Sequence, residues 1–139
     1  MDLNTMQRLV DQQVQETVSG NMRLGQMVAM LGTCRPDSTV SYDFGGFVPT
    51  GPDSYRGYYN HLSFGYAEYA QDKEVTVAAL TEWCREVSGK TLTGYKGGEF
   101  LMDDNTPLWA ANYGQSHGTA ITGIGDYRYH VKILTGYVD

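Results

Sequence analysis

Residues 39–44, TVSYDF, alternate polar and apolar side chains without a break. This alternation is typical of a β-strand that has one face in a core and the other in solvent. The side chains expected to face the core are Val40, Tyr42 and Phe44. Residues 61–66, HLSFGY, repeat the pattern. The two segments predict that a sheet forms the centre of the fold.

A helix is predicted directly before the first strand, over residues 21–31. Its apolar residues recur every three or four positions, as on one face of an α-helix; they are Leu24, Met27, Val28 and Leu31. Asn21 can cap its first turn and Gly32 can end it. Residues 77–87 have the same spacing, which predicts another helix ending at Ser88 and Gly89.

Residues 3–18 form a third amphipathic segment, at the N-terminus. Its apolar stripe is narrow and consists of Leu3, Met6, Val10, Val14 and Val18. So narrow a stripe is consistent with a peripheral helix on its own domain, or with a helix that meets a second subunit as in a coiled coil. We favour the second interpretation and expect an oligomerisation helix within residues 1–20.

The rest of the chain favours short strands. Strand candidates at 100–102, 108–111, 119–123 and 129–134 are separated by turn signals, with no long helix between them. This order predicts an α+β fold with N-terminal helices, a mostly antiparallel β-sheet and one further helix packed on it. Residues 45–60, dense in glycine, proline and aromatics, are predicted to be a long functional loop.

Composition limits the class of protein. The 139 residues suffice for a single domain, residues 1–139, in which 21–139 form the α+β body. The formal charge of −6 argues against long DNA or RNA as a partner. The sequence carries no apolar run long enough for a membrane span, and its two distant cysteines indicate neither a zinc site nor a disulfide framework. We therefore expect a cytoplasmic protein that does not contact membranes and holds no metal or cofactor.

Glycine and tyrosine are both abundant, with 17 and 11 residues, and they concentrate in three segments. In the first, Arg56 stands among tyrosines, with Ser54 and Tyr59 on either side. A guanidinium beside aromatic faces suits a phosphate or carboxylate joined to a base. An arginine that lies over aromatic rings to hold a loop down is an equally good interpretation.

The second segment is 94–100, GYKGGEF. Its glycines, Gly97 and Gly98 among them, would let backbone N–H groups approach a ligand, and Lys96 would add a charge suited to phosphate. A flexible hairpin turn explains the same composition. In the third segment, 106–114, Asn112 could read the edge of a base, although an asparagine there more often closes a turn. Together the segments predict a site for a small phosphorylated aromatic ligand.

A catalytic interpretation rests on two His-x-Ser/Thr elements, at His61 and His117. Paired imidazoles of this kind act as general acid and base in two-histidine phosphoesterases. The match is poor, because Gly118 stands where those enzymes prefer an apolar strand residue. No other nucleophile, metal or carboxylate pattern stands out, so we expect no catalytic residues and favour a binding protein over an enzyme.

In this order, the three segments resemble a group of small phage and prophage proteins, identified as the first described Thoeris anti-defence family. The resemblance runs from Arg23 to Gly114. It implies non-covalent sequestration, without cleavage, of cyclic ADP-ribose isomers that serve as immune signals, and in some members also of cyclic di- or trinucleotides. It further implies homo-oligomers, which are dimers with ligand pockets at the interface or hexamers assembled through N-terminal helices.

The resemblance also implies roles for residues of the motifs. Arg56 and Lys96 would lie near the pyrophosphate, and Tyr59, Tyr95 or Phe100 against the adenine. Asn112 would contact a base edge or the ribose. The candidate ligand-binding set is Ser54, Arg56, Tyr59, Tyr95, Lys96, Gly97, Gly98, Phe100 and Asn112.

Overall fold

A computed structural model describes residues 14–17 and 20–137. These residues form nine strands and two α-helices. The strands are β1 (Val14–Thr17), β2 (Thr39–Tyr42), β3 (Val48–Tyr55), β4 (Tyr58–Ala67), β5 (Thr91–Thr93), β6 (Glu99–Leu101), β7 (Leu108–Ala110), β8 (Thr119–Asp126) and β9 (His130–Gly136). The helices are α1 (Leu24–Leu31) and α2 (Val77–Val87), and a short 3-10 turn spans Gln71–Lys73.

The α+β fold is confirmed. Seven strands form one mixed sheet in the order β2-β9-β8-β7-β4-β3, in which β1 also pairs with β8, and β5 pairs with β6 in a small second sheet. The pairs β2–β9 and β4–β7 are parallel, and the other pairs are antiparallel. The large sheet is therefore mixed, with antiparallel pairs in the majority.

Both helices bury the face that the sequence spacing predicts. On α1 the buried side chains are Leu24, Met27 and Leu31. On α2 they are Val77, Leu80, Cys84 and Val87. They join core residues of the sheet such as Leu62, Phe64 and Leu108, each with 0% of its surface exposed. Burial of this continuous apolar cluster is the main source of stability.

The predicted cap of α1 is wrong. Asn21 lies outside the helix, and its side-chain amide donates to the carbonyl oxygen of Leu108 at 2.8 Å. Arg23 is the N-cap residue, and its backbone N–H donates to Gln26 Oε1 at 2.8 Å. A long-range hydrogen bond to β7 therefore uses the side chain that sequence reasoning assigned to a local cap.

The predicted N-terminal helix is wrong where it can be compared. Val14–Thr17 is a strand, paired antiparallel with residues Gly123–Asp126 of β8. Because β7 pairs only with the first residues of β8, the rest of that edge is open to another strand. Pairing of β1 with this open edge of β8 stabilises a strand more than the local apolar spacing stabilises a helix. The remainder of the prediction falls on residues 1–13 and 18–19, which lie outside the described residues.

The predicted loop over residues 45–60 is also wrong, because it contains β3 and the start of β4. The two strands form a hairpin whose turn is Arg56-Gly57, with Tyr55 opposite Tyr58. Prolines are tolerated in edge strands such as β3, and the pairing of β3 with β4 is irregular between Thr50 and Pro52.

Tyr42 joins the two ends of the strand order. Its backbone N–H donates to the carbonyl oxygen of Phe47 at 2.8 Å. Its buried hydroxyl donates to the carbonyl oxygens of Phe64 and Gly65 on β4, at 3.1 and 2.9 Å. The sheet is therefore curved, and β2 contacts the β3–β4 hairpin.

No helix of the described residues has the length and apolar character needed to cross a bilayer.

Candidate ligand-binding site

The three glycine-tyrosine segments meet at Arg56, in the turn between β3 and β4. The guanidinium carbon of Arg56 lies 4.1 Å from the centre of the Tyr95 ring, in the turn between β5 and β6. Its Nη1 donates to the carbonyl oxygen of Gly114, beyond β7, at 2.9 Å. Because these contacts span 39 and 58 residues of sequence, only the fold brings the segments together.

Arg56 keeps most of its capacity to bind an anion. A guanidinium has five N–H donors, and the bond to Gly114 uses one of them. Among residues 20–137, the acid–base ion pair present is Arg35 with Asp37, so no carboxylate of this range neutralises Arg56. The side chain is half-buried, which strengthens its interaction with a bound anion relative to a fully exposed cation.

Two glycines of the β5–β6 turn, Gly97 and Gly98, are required by the geometry of the hairpin. The backbone N–H of Gly97 donates to the carbonyl oxygen of Gly94, and that of Gly94 to Gly98, both at 2.9 Å. Gly97 and Gly98 have φ angles of +95° and +82°, which glycine adopts without strain. The tight turn accounts for these two glycines, and a phosphate cradle is not needed to explain them.

Gly94 lets two aromatic rings pack beneath the same turn. A Cβ at this position would lie 2.9 Å from the Phe100 ring and 3.3 Å from Tyr59. The Tyr59 and Phe100 rings are 5.6 Å apart and both are half-buried. Part of each ring is therefore available beside the turn, while their mutual contact holds the β5–β6 hairpin against β4.

Tyr95 and Lys96 lie at the exposed tip of the hairpin. Tyr95 is 42% exposed, and its ring centre is 5.7 Å from that of Tyr113. Lys96 is exposed and forms no ion pair with a described carboxylate. Arg56 and the rings of Tyr95 and Tyr113 place positive charge beside aromatic surface, and Lys96 follows Tyr95 at the same hairpin tip.

Ser54 and Asn112 are engaged within the protein. The hydroxyl of buried Ser54 donates to the carbonyl oxygen of Tyr59 at 2.6 Å. Asn112 Oδ1 accepts from the backbone N–H of Tyr66 at 2.9 Å, and its backbone N–H donates to Gln115 Oε1 at 2.7 Å. These bonds hold the β3–β4 hairpin and close the turn after β7. Both residues therefore stabilise the segments that carry the site, and their polar groups are already engaged within the protein.

Sequence reasoning missed an aromatic cluster next to the turn between β3 and β4. The Tyr55 and Trp109 rings stack with centres 4.7 Å apart, and Tyr58 lies 4.9 Å from the His61 ring. The Tyr55 hydroxyl accepts from the Gly118 N–H at 2.8 Å, which ties residues 116–118 to the hairpin. The parallel register of β4 with β7 brings Trp109 here, and a single sequence carries no signal for that pairing.

The two histidines of the catalytic interpretation are in different environments. His61 Nδ1 accepts a hydrogen bond from the indole N–H of Trp109 at 3.0 Å, whereas His117 is exposed. Burial, with a smaller effect of Arg23, lowers the pKa of His61. No hydrogen bond or ring contact among the described residues joins the two imidazoles, so the fold does not present them as an acid–base pair.

Two surface pockets lie elsewhere. One, of about 400 Å³, lies between the start of β3 and Trp83 of α2. The other, of about 320 Å³, lies between the end of α1 and the start of α2.

The described residues bring no three histidine, cysteine, aspartate or glutamate side chains together as a metal site. No protein-family model, curated protein or solved structure matches the chain.

Proposed function

We propose that this protein is a phage anti-defence protein that binds and sequesters a cyclic nucleotide immune signal. The proposed ligands are cyclic ADP-ribose isomers, with cyclic di- and trinucleotides as further candidates, and the proposed location is the cytoplasm of the infected bacterial host. The observation that carries the proposal is the meeting of the three motif segments at Arg56, through Tyr95 and the carbonyl of Gly114.

The proposed role of each residue follows from the interactions that its polar groups or its ring can make with the ligand. Arg56 has N–H donors left for a pyrophosphate, and Lys96 adds an exposed positive charge at the hairpin tip. The accessible parts of Tyr59, Tyr95 and Phe100 supply surfaces for an adenine. The backbone N–H groups of Tyr95 and Lys96 make no hydrogen bond to other described residues and are available to the same ligand.

Sequestration needs affinity and slow release, and it does not need turnover. Uniform binding of a ligand is sufficient when no transition state has to be stabilised. The time for which the ligand stays bound then determines how much signal reaches its receptor. The use of His61 Nδ1 by Trp109 speaks against a general-base role for that nitrogen.

The proposal includes a homo-oligomer, either a dimer or a hexamer. Arg56, Tyr95 and Tyr113 lie at the surface of one chain, where a neighbouring subunit could complete an enclosure around the ligand. A small ligand usually has most of its surface buried in its pocket. An interface pocket therefore suits this open cluster.

Replacement of Arg56 tests the site. Arg56→Ala should weaken capture of cyclic ADP-ribose by at least about tenfold, because a charge-assisted hydrogen bond to the phosphate is lost. Isothermal titration calorimetry measures the affinity, and light scattering checks that the oligomer is intact. The matched control is Arg85→Ala, which removes an exposed arginine from α2. Equal affinity of the two variants would remove Arg56 from the site.

Recovery of the bound nucleotide tests the function class. After incubation with the protein and heat denaturation, chromatography should return the cyclic nucleotide chemically unchanged. Altered products that require His61 and His117 would instead establish a phosphoesterase. A nucleotide that never leaves solution would refute capture altogether.

A further inference from the structure

A second cluster of cations and aromatic rings lies at the β8–β9 turn. Tyr129, 61% exposed, has the guanidinium carbon of Arg35 4.7 Å from its ring centre and that of Arg128 5.3 Å away. Arg35 comes from the segment between α1 and β2, whereas Arg128 comes from the turn itself. Two permanent positive charges from distant segments are thus held around one ring.

Arg128 is in a strained backbone conformation. Its φ of +80° makes it the one non-glycine residue with positive φ among the described residues. Its backbone N–H donates to Asp126 Oδ1 at 2.8 Å, and its carbonyl oxygen accepts from the buried Ser38 hydroxyl at 2.6 Å. A glycine would take this conformation without strain, so the turn gives no reason for an arginine.

The charge of Arg35 is offset in part, whereas Arg128 forms no ion pair with a described carboxylate. Asp37 contacts Arg35 twice, with Oδ1 3.4 Å from Nε in an exposed ion pair and Oδ2 accepting from Nη2 at 3.5 Å, and Asp126 is used by the backbone of the turn. Lys132 adds a cation 5.3 Å from the Tyr127 ring centre. In a chain of formal charge −6, such a local excess of cations favours an anion.

We propose that Arg35, Arg128 and Tyr129 form a second site, which binds a phosphate group, free or as a small ester. Two guanidiniums from different segments can each donate to different oxygens of one tetrahedral phosphate. Tyr129 keeps both cations in place by contact with its ring. The site lies in the β8–β9 turn and the segment before β2 and shares no residue with the cluster around Arg56, so it is independent of the proposed function.

Amide NMR titrations test the site with three probes: inorganic phosphate, AMP and adenosine. Phosphate and AMP should each cause saturable shifts at Arg128, Tyr129 and the residues next to Arg35, whereas adenosine should cause none there. Tighter binding of AMP would identify an ester as the preferred source of the phosphate, and equal affinities would identify free phosphate. Shifts that sodium chloride of equal ionic strength reproduces would overturn the proposal.

The Arg128→Gly variant distinguishes a loss of phosphate binding from a loss of stability. It relieves the strained φ, so the melting temperature should stay the same or rise, while phosphate affinity should fall at least about tenfold because one guanidinium is lost. Arg35→Gln, which keeps a long polar side chain, should cause a similar loss. The matched control is Arg85→Ala, expected to bind phosphate as the parent does. Retained phosphate binding in both Arg128→Gly and Arg35→Gln would overturn the proposal, whatever their stability.

Discussion

The hydrogen bond from Trp109 determines the tautomer of His61. Because the indole N–H donates to Nδ1, that nitrogen carries a lone pair, and a neutral imidazole then holds its proton on Nε2. His130 is also enclosed, with Thr39 Oγ1 2.7 Å from its Nδ1 and Ser41 Oγ 2.8 Å from its Nε2. For both histidines burial lowers the pKa, with smaller effects of Arg23 on His61 and Lys132 on His130.

A pH dependence of stability follows from these two residues. A lowered pKa means that the unfolded state binds more protons between the folded pKa and the ordinary value of 6.5. The free energy of unfolding should therefore fall as pH falls through 6.5 toward the folded pKa values. Urea denaturation at pH 7.5 and at pH 5.5 measures this difference.

His61→Gln is the matching variant, because a glutamine oxygen can still accept from Trp109. It should show a smaller loss of stability on acidification than the parent protein. If both proteins have the same pH dependence, His61 is not a source of it.

The small β5–β6 hairpin depends on the absence of a side chain at Gly94. Gly94→Ala would put a methyl group 2.9 Å from the Phe100 ring and 3.1 Å from the carbonyl oxygen of Gly97. Since rings and backbone must shift, we expect a loss of about 1–3 kcal/mol in the free energy of unfolding, measured in urea.

Gly51→Ala is the control for this substitution. An added Cβ at Gly51 has no atom within 4 Å, and the residue does not have a positive φ. Its stability should stay within about 0.5 kcal/mol of the parent. Equal effects at Gly94 and Gly51 would show that the packing of Tyr59 and Phe100 does not depend on Gly94.

Elements that depend on local spacing could be predicted from the sequence, as α1 and α2 show. Three strands, β1, β3 and β5, were missed, the first two of them for different reasons. The pairing of β1 with β8 is set by contacts across 112 residues at Val14 and Asp126, which local periodicity does not record. β3 contains two prolines that argue against a strand unless its place at the edge of the sheet is known.

The candidate site was predicted in part for the same reason. Arg56, Tyr95 and the glycines of the β5–β6 turn were identified because their composition is unusual. The contact partners Tyr113 and the Gly114 carbonyl depend on where the chain goes after β7, and the Trp109 cluster depends on the β4–β7 register.

At the scale of the whole molecule, the N-terminal segment can be tested in two steps. Deletion of residues 1–13 leaves β1 in place, and under the proposed homo-oligomer it should lower the mass measured by light scattering. Deletion of residues 1–18 also removes β1 and uncovers the β8 edge, so it should lower the melting temperature as well. An unchanged mass after the shorter deletion would exclude residues 1–13 as the assembly element.

The parallel pairing of β2 with β9 has a consequence for how the chain folds during synthesis. Thr39 bonds to His130, 91 residues later, so β2 cannot pair with β9 until β9 has left the ribosome. The β3–β4 hairpin lies between these two strands in the sequence and can form earlier. Formation of the large sheet is therefore expected to be slow, because it needs contacts between segments that are distant in the sequence.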